Sequence, residues 1–364
     1  MRNLFFLLLL TGISAISFSQ TPIFYIAGKV INAETKQPMQ AASVFAENTT
    51  LGTATDADGN FKLYLPNGGY QLVVTFTGFN TETKRINTTD ANDVNILLEL
   101  KPKEKEMQAV AIVSTGEVKD GWAKYGSFFI DQFIGKTNNS NGCTIKNTEV
   151  LKFYFSKRRN RLKIMASEPL LIENNSLGYN IKYALDSFTH EYATQVSLYS
   201  GYPLFEEMTA ANPDQQTKWQ QARQEAYRGS MLHFMRSVYN KQLKEEGFEI
   251  QYVIDFMGRD SALKLKNFYT ALNYQKNDST QTVEIKPNQK QVGVIYTKEK
   301  PAAAFLAENE KEPVEFQFSI LAFTPGESIT IEQNGYYFEQ NDLTTSEYWT
   351  WERVADLVPY DYVP

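Results

Sequence analysis

The sequence predicts an all-β sandwich followed by an α+β domain with an antiparallel sheet and two main helices. Residues 23–100 alternate apolar and polar side chains with period two, are cut by turn residues about every ten positions and show no helical stripe. The charged hexamer Lys101-Pro102-Lys103-Glu104-Lys105-Glu106 then interrupts the apolar pattern, and beyond it stripes of helical spacing occur together with alternating strands. The 364 residues are 42% hydrophobic and 21% charged, which excludes a disordered chain. At roughly 150 residues per domain, that length suits about two domains.

Residues 1–19 read as a secretory signal peptide. Arg2 precedes an apolar run from Leu4 to Ile16, and the small-x-small series Ser17-Phe18-Ser19 directly precedes the expected cut after Ser19. The run is short for a ~20-residue span, and no cysteine near the cut is placed to take a lipid. The expectation is export to the periplasm or outer-membrane vicinity, with no transmembrane helix in the mature chain.

In the sandwich, spanning 23–100, Phe61, Leu63 and Leu65 alternate with Lys62 and Tyr64. Tyr70, Leu72, Val74 and Phe76 form a second strand stripe, and Val94, Ile96, Leu98 and Leu100 a third. Asp56-Ala57-Asp58-Gly59-Asn60, Pro66-Asn67-Gly68-Gly69 and Gly78 mark turns. The first of these begins like a calcium loop, but Phe61 stands where glycine is needed and Asn67 where an acid is needed, so a plain turn is expected.

The ordered motifs Gly28-Lys29-Val30, Ala42-Ser43-Val44, Gly52 through Phe61, Gly69-Tyr70 and Phe76-Thr77-Gly78-Phe79 resemble the carboxypeptidase-like regulatory domain. The resemblance implies a transthyretin-like sandwich of about seven strands, found in exported proteins of Bacteroidota and often ahead of the plug of TonB-dependent receptors. It implies no catalytic residue. Several segments of the larger domain, among them Cys143-Thr144-Ile145-Lys146-Asn147 and Ala226-Tyr227-Arg228-Gly229-Ser230, resemble the C-terminal region of exported Bacteroidota proteins that carry this module. That second resemblance assigns no chemistry.

After the linker at 101–106, the α+β domain is expected over 107–364, opening on a strand-like stretch at 107–113. A receptor barrel is excluded, because the remainder lacks a long series of alternating ten-residue strands. Trp122, Tyr125, Phe129 and Phe133 make an amphipathic helix with Asp120 as its cap and Gly135 at its end. Strands follow around Leu151–Phe155, Leu162–Ala166 and Tyr179–Leu185. A long helix is predicted from Asn212-Pro213 to about Gly247, with Gly229-Ser230 as its weak point. Strands return at Val292–Tyr296, Phe316–Phe323 and Ser328–Ile331, with Pro325-Gly326 and Asn334-Gly335 as turns.

The inventory for chemistry is thin. With one cysteine and two histidines there is no intramolecular disulfide and no zinc site of several thiolates. His190-Glu191 lacks the second zincin histidine, since position 194 is Thr194, and His233 is followed by Phe234-Met235-Arg236 instead of a zinc-carboxypeptidase pattern. Ser261-Ala262-Leu263-Lys264 has the Ser-x-x-Lys spacing without its companion motifs, and no Gly-x-Ser-x-Gly elbow occurs. Cys143 is expected to be a buried structural thiol. No catalytic residue, metal or cofactor is expected, and the net charge of −6 argues against nucleic acid as partner.

Two residue groups carry binding readings beside plain ones. Arg158, Arg159 and Arg161 fall between two predicted strands and are either a solvated turn or an anion contact, such as with lipopolysaccharide phosphate. Tyr348, Trp349 and Trp351 either close the core or stack on sugar or partner surfaces. The reading that follows is a non-catalytic binding or scaffold protein of the bacterial cell envelope, its partner an envelope protein or glycan, with peripheral association to the outer membrane. The alternative is a carboxylate-dependent hydrolase of glycan or peptide.

Overall fold

The computed structural model describes residues 23–87, 95–103, 116–256 and 259–364. The signal-peptide segment, Val94, residues 104–106 of the charged linker and the 107–113 stretch lie outside these residues.

The N-terminal unit is a sandwich of seven strands: β1 (Ile23–Asn32), β2 (Ser43–Ala46), β3 (Gly52–Ala54), β4 (Asn60–Pro66), β5 (Gly69–Thr75), β6 (Glu82–Asn87) and β7 (Ile96–Leu100). One sheet runs β4-β1-β7, with β1 antiparallel to β4 and parallel to β7; the other runs β3-β2-β5-β6. The alternation predicted from sequence sets the facing. Phe61, Leu63 and Leu65 of β4 meet Leu72 and Val74 of β5 across the core, while Lys62 and Tyr64 are exposed. Phe45 and Val73 point away from that core and are nevertheless buried, at 2% and 0% exposure. The rest of the chain covers them.

Three elements fuse the sandwich to that remainder. Asn48 donates to the Pro203 carbonyl at 2.8 Å, the Phe205 amide to Thr49 at 2.9 Å and the Tyr360 amide to Asn48 at 2.7 Å. Asn334 donates to Gly69 at 3.2 Å, and Asn87 to the buried Glu332 at 3.2 Å. The beginning of the charged stretch also folds back: Asn80 donates to Lys101 at 2.9 Å and Lys103 to Gly78 at 2.8 Å.

The larger part has two cores. Helix α1 (Gly121–Phe133) lies on a six-stranded sheet built from β8 (Cys143–Ile145), β9 (Leu151–Ser156), β10 (Arg161–Ala166), β11 (Leu170–Asn174), β12 (Tyr179–Glu191) and β13 (Val196–Glu207). One edge of β12 is shared end to end by β11 and β10, and the other is taken by β13. The stripe Tyr125, Phe129 and Phe133 packs on this sheet, with the Phe129 and Phe188 rings edge to face at 5.2 Å. Asp120 stands at the helix start but its side chain makes no capping bond, while Gly135 ends the helix at φ +112°.

The predicted long helix is two helices, α2 (Pro213–Tyr227) and α3 (Met231–Tyr239). Asn212 caps the first by accepting from the Gln215 amide at 2.9 Å. Gly229, at φ +73°, turns the chain, and Ser230 caps the second helix by accepting from the His233 amide at 3.2 Å.

Helix α3 packs Phe234, Met235 and Val238 on a second sheet. Its strands, in the order β15-β14-β18-β19-β21, are β14 (Phe248–Phe256), β15 (Arg259–Lys264), β18 (Gln291–Tyr296), β19 (Gln317–Phe323) and β21 (Leu343–Glu347). The short helix α4 (Phe268–Ala271) and the small sheet β16 (Gln275–Asn277), β17 (Thr282–Ile285) and β20 (Ile329–Ile331) sit beside it, and α5 (Ala303–Glu308) precedes β19. The fold is thus a β-sandwich followed by an α+β region, as the sequence pattern predicts, but with more helices than the two main ones expected.

Candidate functional site

A concavity lies where the sandwich meets the six-stranded sheet. Its sandwich wall comes from Ser43 on β2 and from Thr75 through Thr81 at the end of β5; its other wall comes from the β10–β11 connection and from Asp186 and Tyr202 on β12 and β13. The cleft encloses about 560 Å³, within the size of small-ligand sites.

Asp186 is brought there by a bulge. Pairing of β12 with β13 is regular from Tyr179 to Leu185 and again from Ser187 to Glu191, and slips at the residue between. A bulge leaves its extra residue unpaired and re-aims its side chain. The phase change was legible in the sequence: apolar positions run odd through Tyr179, Ile181, Tyr183 and Leu185, then even at Phe188. That signal passes unnoticed when strands are read only for alternation.

Burial raises the Asp186 carboxyl above the usual carboxylate range, opposed by the Lys103 charge and by a hydrogen bond with Tyr202. The Tyr202 hydroxyl is pushed up to about 12 by burial and by the charges of Asp186 and Glu47. The cleft therefore brings the Asp186 carboxyl, the Tyr202 phenol and the Lys103 side chain together. Phe76 and Phe79, edge to face at 5.5 Å, supply an aromatic lip. Such a set orients a ligand by hydrogen bonds and ring contact.

The sequence-predicted candidates go elsewhere. Lys157 through Asn160 form the exposed turn between β9 and β10, and Arg161 opens β10 with its guanidinium 3.4 Å from Glu191. Arg158 and Arg159 remain at the solvent-facing tip. Tyr348, Trp349 and Trp351 are buried to 6–8% exposure, which corrects the stacking reading in favour of packing. Trp349 donates its indole N–H to Gly229 at 2.7 Å and packs against Phe234, while Trp351 and Tyr348 pack on Phe305. A ring held edge and face by the core offers no sugar platform.

Cys143 is half-buried instead of fully buried, and burial pushes its thiol up to about 12, so it is no thiolate at neutral pH. His190 is buried against Phe128 and Tyr192 with Nδ1 2.9 Å from Ser197 Oγ. His233 accepts from the Gly229 amide at 3.1 Å and lies 3.2 Å from Glu246. Burial lowers both imidazoles below the ordinary histidine range. The Asp56 carboxylate is engaged by its own turn, accepting from the Asp58 and Asn60 amides at 2.9 and 2.8 Å. Ser261 through Lys264 fall on strand β15, not on a helix. Among the described residues no group of three or more His, Cys, Asp or Glu side chains is placed to hold a metal, and no helix is long and apolar enough to cross a membrane.

Comparison with known proteins assigns the first unit. Residues 26–112 match the family model of the CarboxypepD_reg-like domain. The chain is 24% identical over 94 residues to TonB-dependent receptor P3 of Formosa agariphila and 31% identical over 90 residues to TonB-dependent receptor SusC of Bacteroides thetaiotaomicron. These alignments cover 26% and 25% of this chain but only 9% and 8% of the receptors. The chain therefore spans less than a tenth of the curated relatives it matches.

Among solved structures, a DUF3823 family protein from Bacteroides ovatus aligns at 12% identity over 52% of this chain and 83% of its own, with a TM-score of 0.18. The 3-chlorocatechol 1,2-dioxygenase of Rhodococcus opacus 1CP aligns at 11% over 24% of this chain and 62% of its own, with a TM-score of 0.19. Superpositions this loose carry no argument. The family match and the seven-stranded sandwich agree on one conclusion: residues 26–112 carry a carboxypeptidase regulatory-like domain.

Proposed function

We propose that this chain is an exported, non-catalytic binding module of the bacterial cell envelope, and that the sandwich and the six-stranded sheet together hold a partner, an envelope protein or glycan, in the cleft at Asp186. The cleft carries the reading. Its walls come from both units, and it exposes a bulged carboxylate, a phenol and an aromatic lip at a junction otherwise closed by hydrogen bonds. The regulatory-like domain and its likeness to TonB-dependent receptors support the envelope setting, in which peripheral association with the outer membrane through the exposed Arg158 and Arg159 belongs to the same proposal.

The test is retention of envelope components by the immobilised protein. Wild type is expected to retain a defined protein or glycan, and both Asp186→Ala and Thr77→Trp, the latter filling the cleft, are expected to lose it while keeping their thermal midpoint. Equal retention by all three overturns the cleft. The hydrolase alternative draws on Asp186 and Glu168 lining the same space. Release of reducing ends or new amines from envelope glycopeptides, abolished by Asp186→Ala, would establish that alternative and remove the non-catalytic reading.

A further inference from the structure

The sandwich has one outer face that the body roofs, that of β2 and β5, and one that it leaves open, that of β4-β1-β7. A sheet with one face in water is ordinary, but that face is usually polar. Here Tyr25 and Tyr64 stand on it at 49% and 55% exposure, beside an equally exposed Leu97.

Strand register puts these side chains together. Tyr25 pairs with Tyr64 and Ala27 with Lys62, while Lys29 pairs with Asn60 on one side and Leu97 on the other. Alternate residues share a face, so the tyrosines and the lysines form one surface, which runs about 13 Å along β1 from Tyr25 to Lys29 at ~3.3 Å per residue. The two ring centroids lie 6.2 Å apart with their planes tilted by 53°. Lys62 Nζ sits 4.0 Å from the Tyr25 centroid and 5.0 Å from that of Tyr64. A hydrogen bond with Tyr64 raises the Lys62 ammonium above its ordinary range, so it is charged at neutral pH. Cross-strand pairing and cation–π attraction account for the cluster's own geometry. They leave outward ring area and ammonium donors facing solvent.

The charge on this face decides what suits it. The chain carries −6, yet Lys29 and Lys62 form no ion pair among the described residues, and Glu99, the acid on the same face, is taken by Lys36 at 2.8 Å. Asp56 feels the Lys29 charge, but its carboxylate is held within its own turn. An anionic membrane surface offers charge without ring-sized apolar faces, and the net charge of the whole chain opposes it. A neutral sugar fits the rings and leaves the ammonium groups unused. An acidic pyranose supplies both an apolar ring face for tyrosine and a carboxylate for lysine.

We infer that the open face of β4-β1-β7 binds an acidic glycan, a chain of uronic-acid units, with Tyr25 and Tyr64 against its sugar rings and Lys62 and Lys29 on its carboxylates. The site uses no residue of the cleft at Asp186 and stands or falls independently of it.

Isothermal titration calorimetry of the protein with tetragalacturonate and with tetramannuronate is expected to give saturable binding for at least one, weakened at raised salt. Cellotetraose, the neutral counterpart, is expected to bind at least about tenfold more weakly. Tyr64→Ala and Lys62→Gln, both at exposed positions and checked for an unchanged thermal midpoint, are each expected to weaken the acidic ligand at least about tenfold, whereas Lys62→Arg keeps most of the affinity. No saturable binding of either uronate, equal binding of cellotetraose, or undiminished binding in both Tyr64→Ala and Lys62→Gln overturns the inference. So does cosedimentation with phosphatidylglycerol vesicles, in place of either glycan, that the same two variants abolish; the face would then be a membrane contact.

Discussion

Glu47 shows how a single side chain records the junction between the two units. It sits on the sandwich side, with the Tyr336 hydroxyl donating to it at 3.4 Å, and burial pushes its carboxyl up to about 7 from an ordinary 4.5. A carboxyl whose pKa is raised in the folded state supports folding when protonated. That contribution is complete below about pH 4.5 and is lost as pH climbs through about 7. Glu47→Gln removes the titration, and is expected to be more stable than wild type at pH 8 by on the order of 1–3 kcal/mol, with the difference vanishing near pH 4. Chemical denaturation of both proteins across that range measures it; a difference that is constant with pH refutes the assignment.

Gly59 makes the complementary case of a residue whose role was visible in the sequence. The Asp56–Asn60 run predicts a turn there, and the structure gives Gly59 φ +77° with the position of a Cβ only 2.5 Å from the Val30 carbonyl. Gly59→Ala combines strain with a backbone collision and is expected to destabilise by about 1–3 kcal/mol, read as a lower denaturant midpoint with an unchanged slope.

At the scale of elements, the break between α2 and α3 separates propensity from capping. Continuous apolar spacing through Tyr227, Met231, Phe234 and Val238 predicts one helix, yet the Ser230 hydroxyl accepts from the His233 amide at 3.2 Å and donates to Tyr227 at 2.7 Å, ending one helix and starting the next. Ser230→Ala is expected to cost about 1 kcal/mol, visible as a lowered thermal midpoint with little change in helix content.

The sandwich alternation, α1 and strands β9, β10, β12, β18 and β19 were legible because a half-buried surface writes its own period into the sequence, whereas β8, β11, β13, β14, β15 and β21 were not read as strands. What was not legible depends on contacts distant in the chain. The burial of Phe45 and Val73 comes from elements more than a hundred residues away, and that of Trp351 comes from Phe305. Asp186 lay between: its bulge left a phase slip in the pattern, but its place in a cleft needs the sandwich as second wall. The aromatic run at Tyr348–Trp351 and the arginines at the hairpin tip were conspicuous in the sequence because of their composition. Composition does not determine which side of a strand or turn faces solvent.

For the whole molecule, the question is whether the sandwich and the two-core body behave as one unit, and Arg236 is the residue that tests it. Its guanidinium, reaching from α3, donates to Asn334, Tyr362 and Tyr360, each at 2.9 Å. Those three carbonyls belong to the turn and tail that contact the sandwich: Asn334 bonds Gly69, the Tyr360 amide bonds Asn48, and Asp361 accepts from Thr50 at 3.0 Å. One side chain thus ties the second core to the sandwich through two separate segments. Charged hydrogen bonds contribute about 1.5–3 kcal/mol each when measured singly, and removing their common donor strands three carbonyls together.

Wild type is expected to unfold in a single calorimetric transition, because the outer face of β2 and β5 is roofed by the body and loses that cover only when the body opens. Arg236→Ala is expected to lower the midpoint and to split the transition, with the sandwich melting apart from the remainder, whereas Arg236→Lys restores part of the coupling. Retention of one sharp transition in Arg236→Ala would mean that the β13 contacts at Asn48 and Thr49 suffice to join the units. The same variant bears on the cleft, since a sandwich that pivots on its neighbour moves one wall of the Asp186 site against the other. Partner retention that drops in Arg236→Ala while both cores stay folded would show that binding at Asp186 requires the two walls to be held in register.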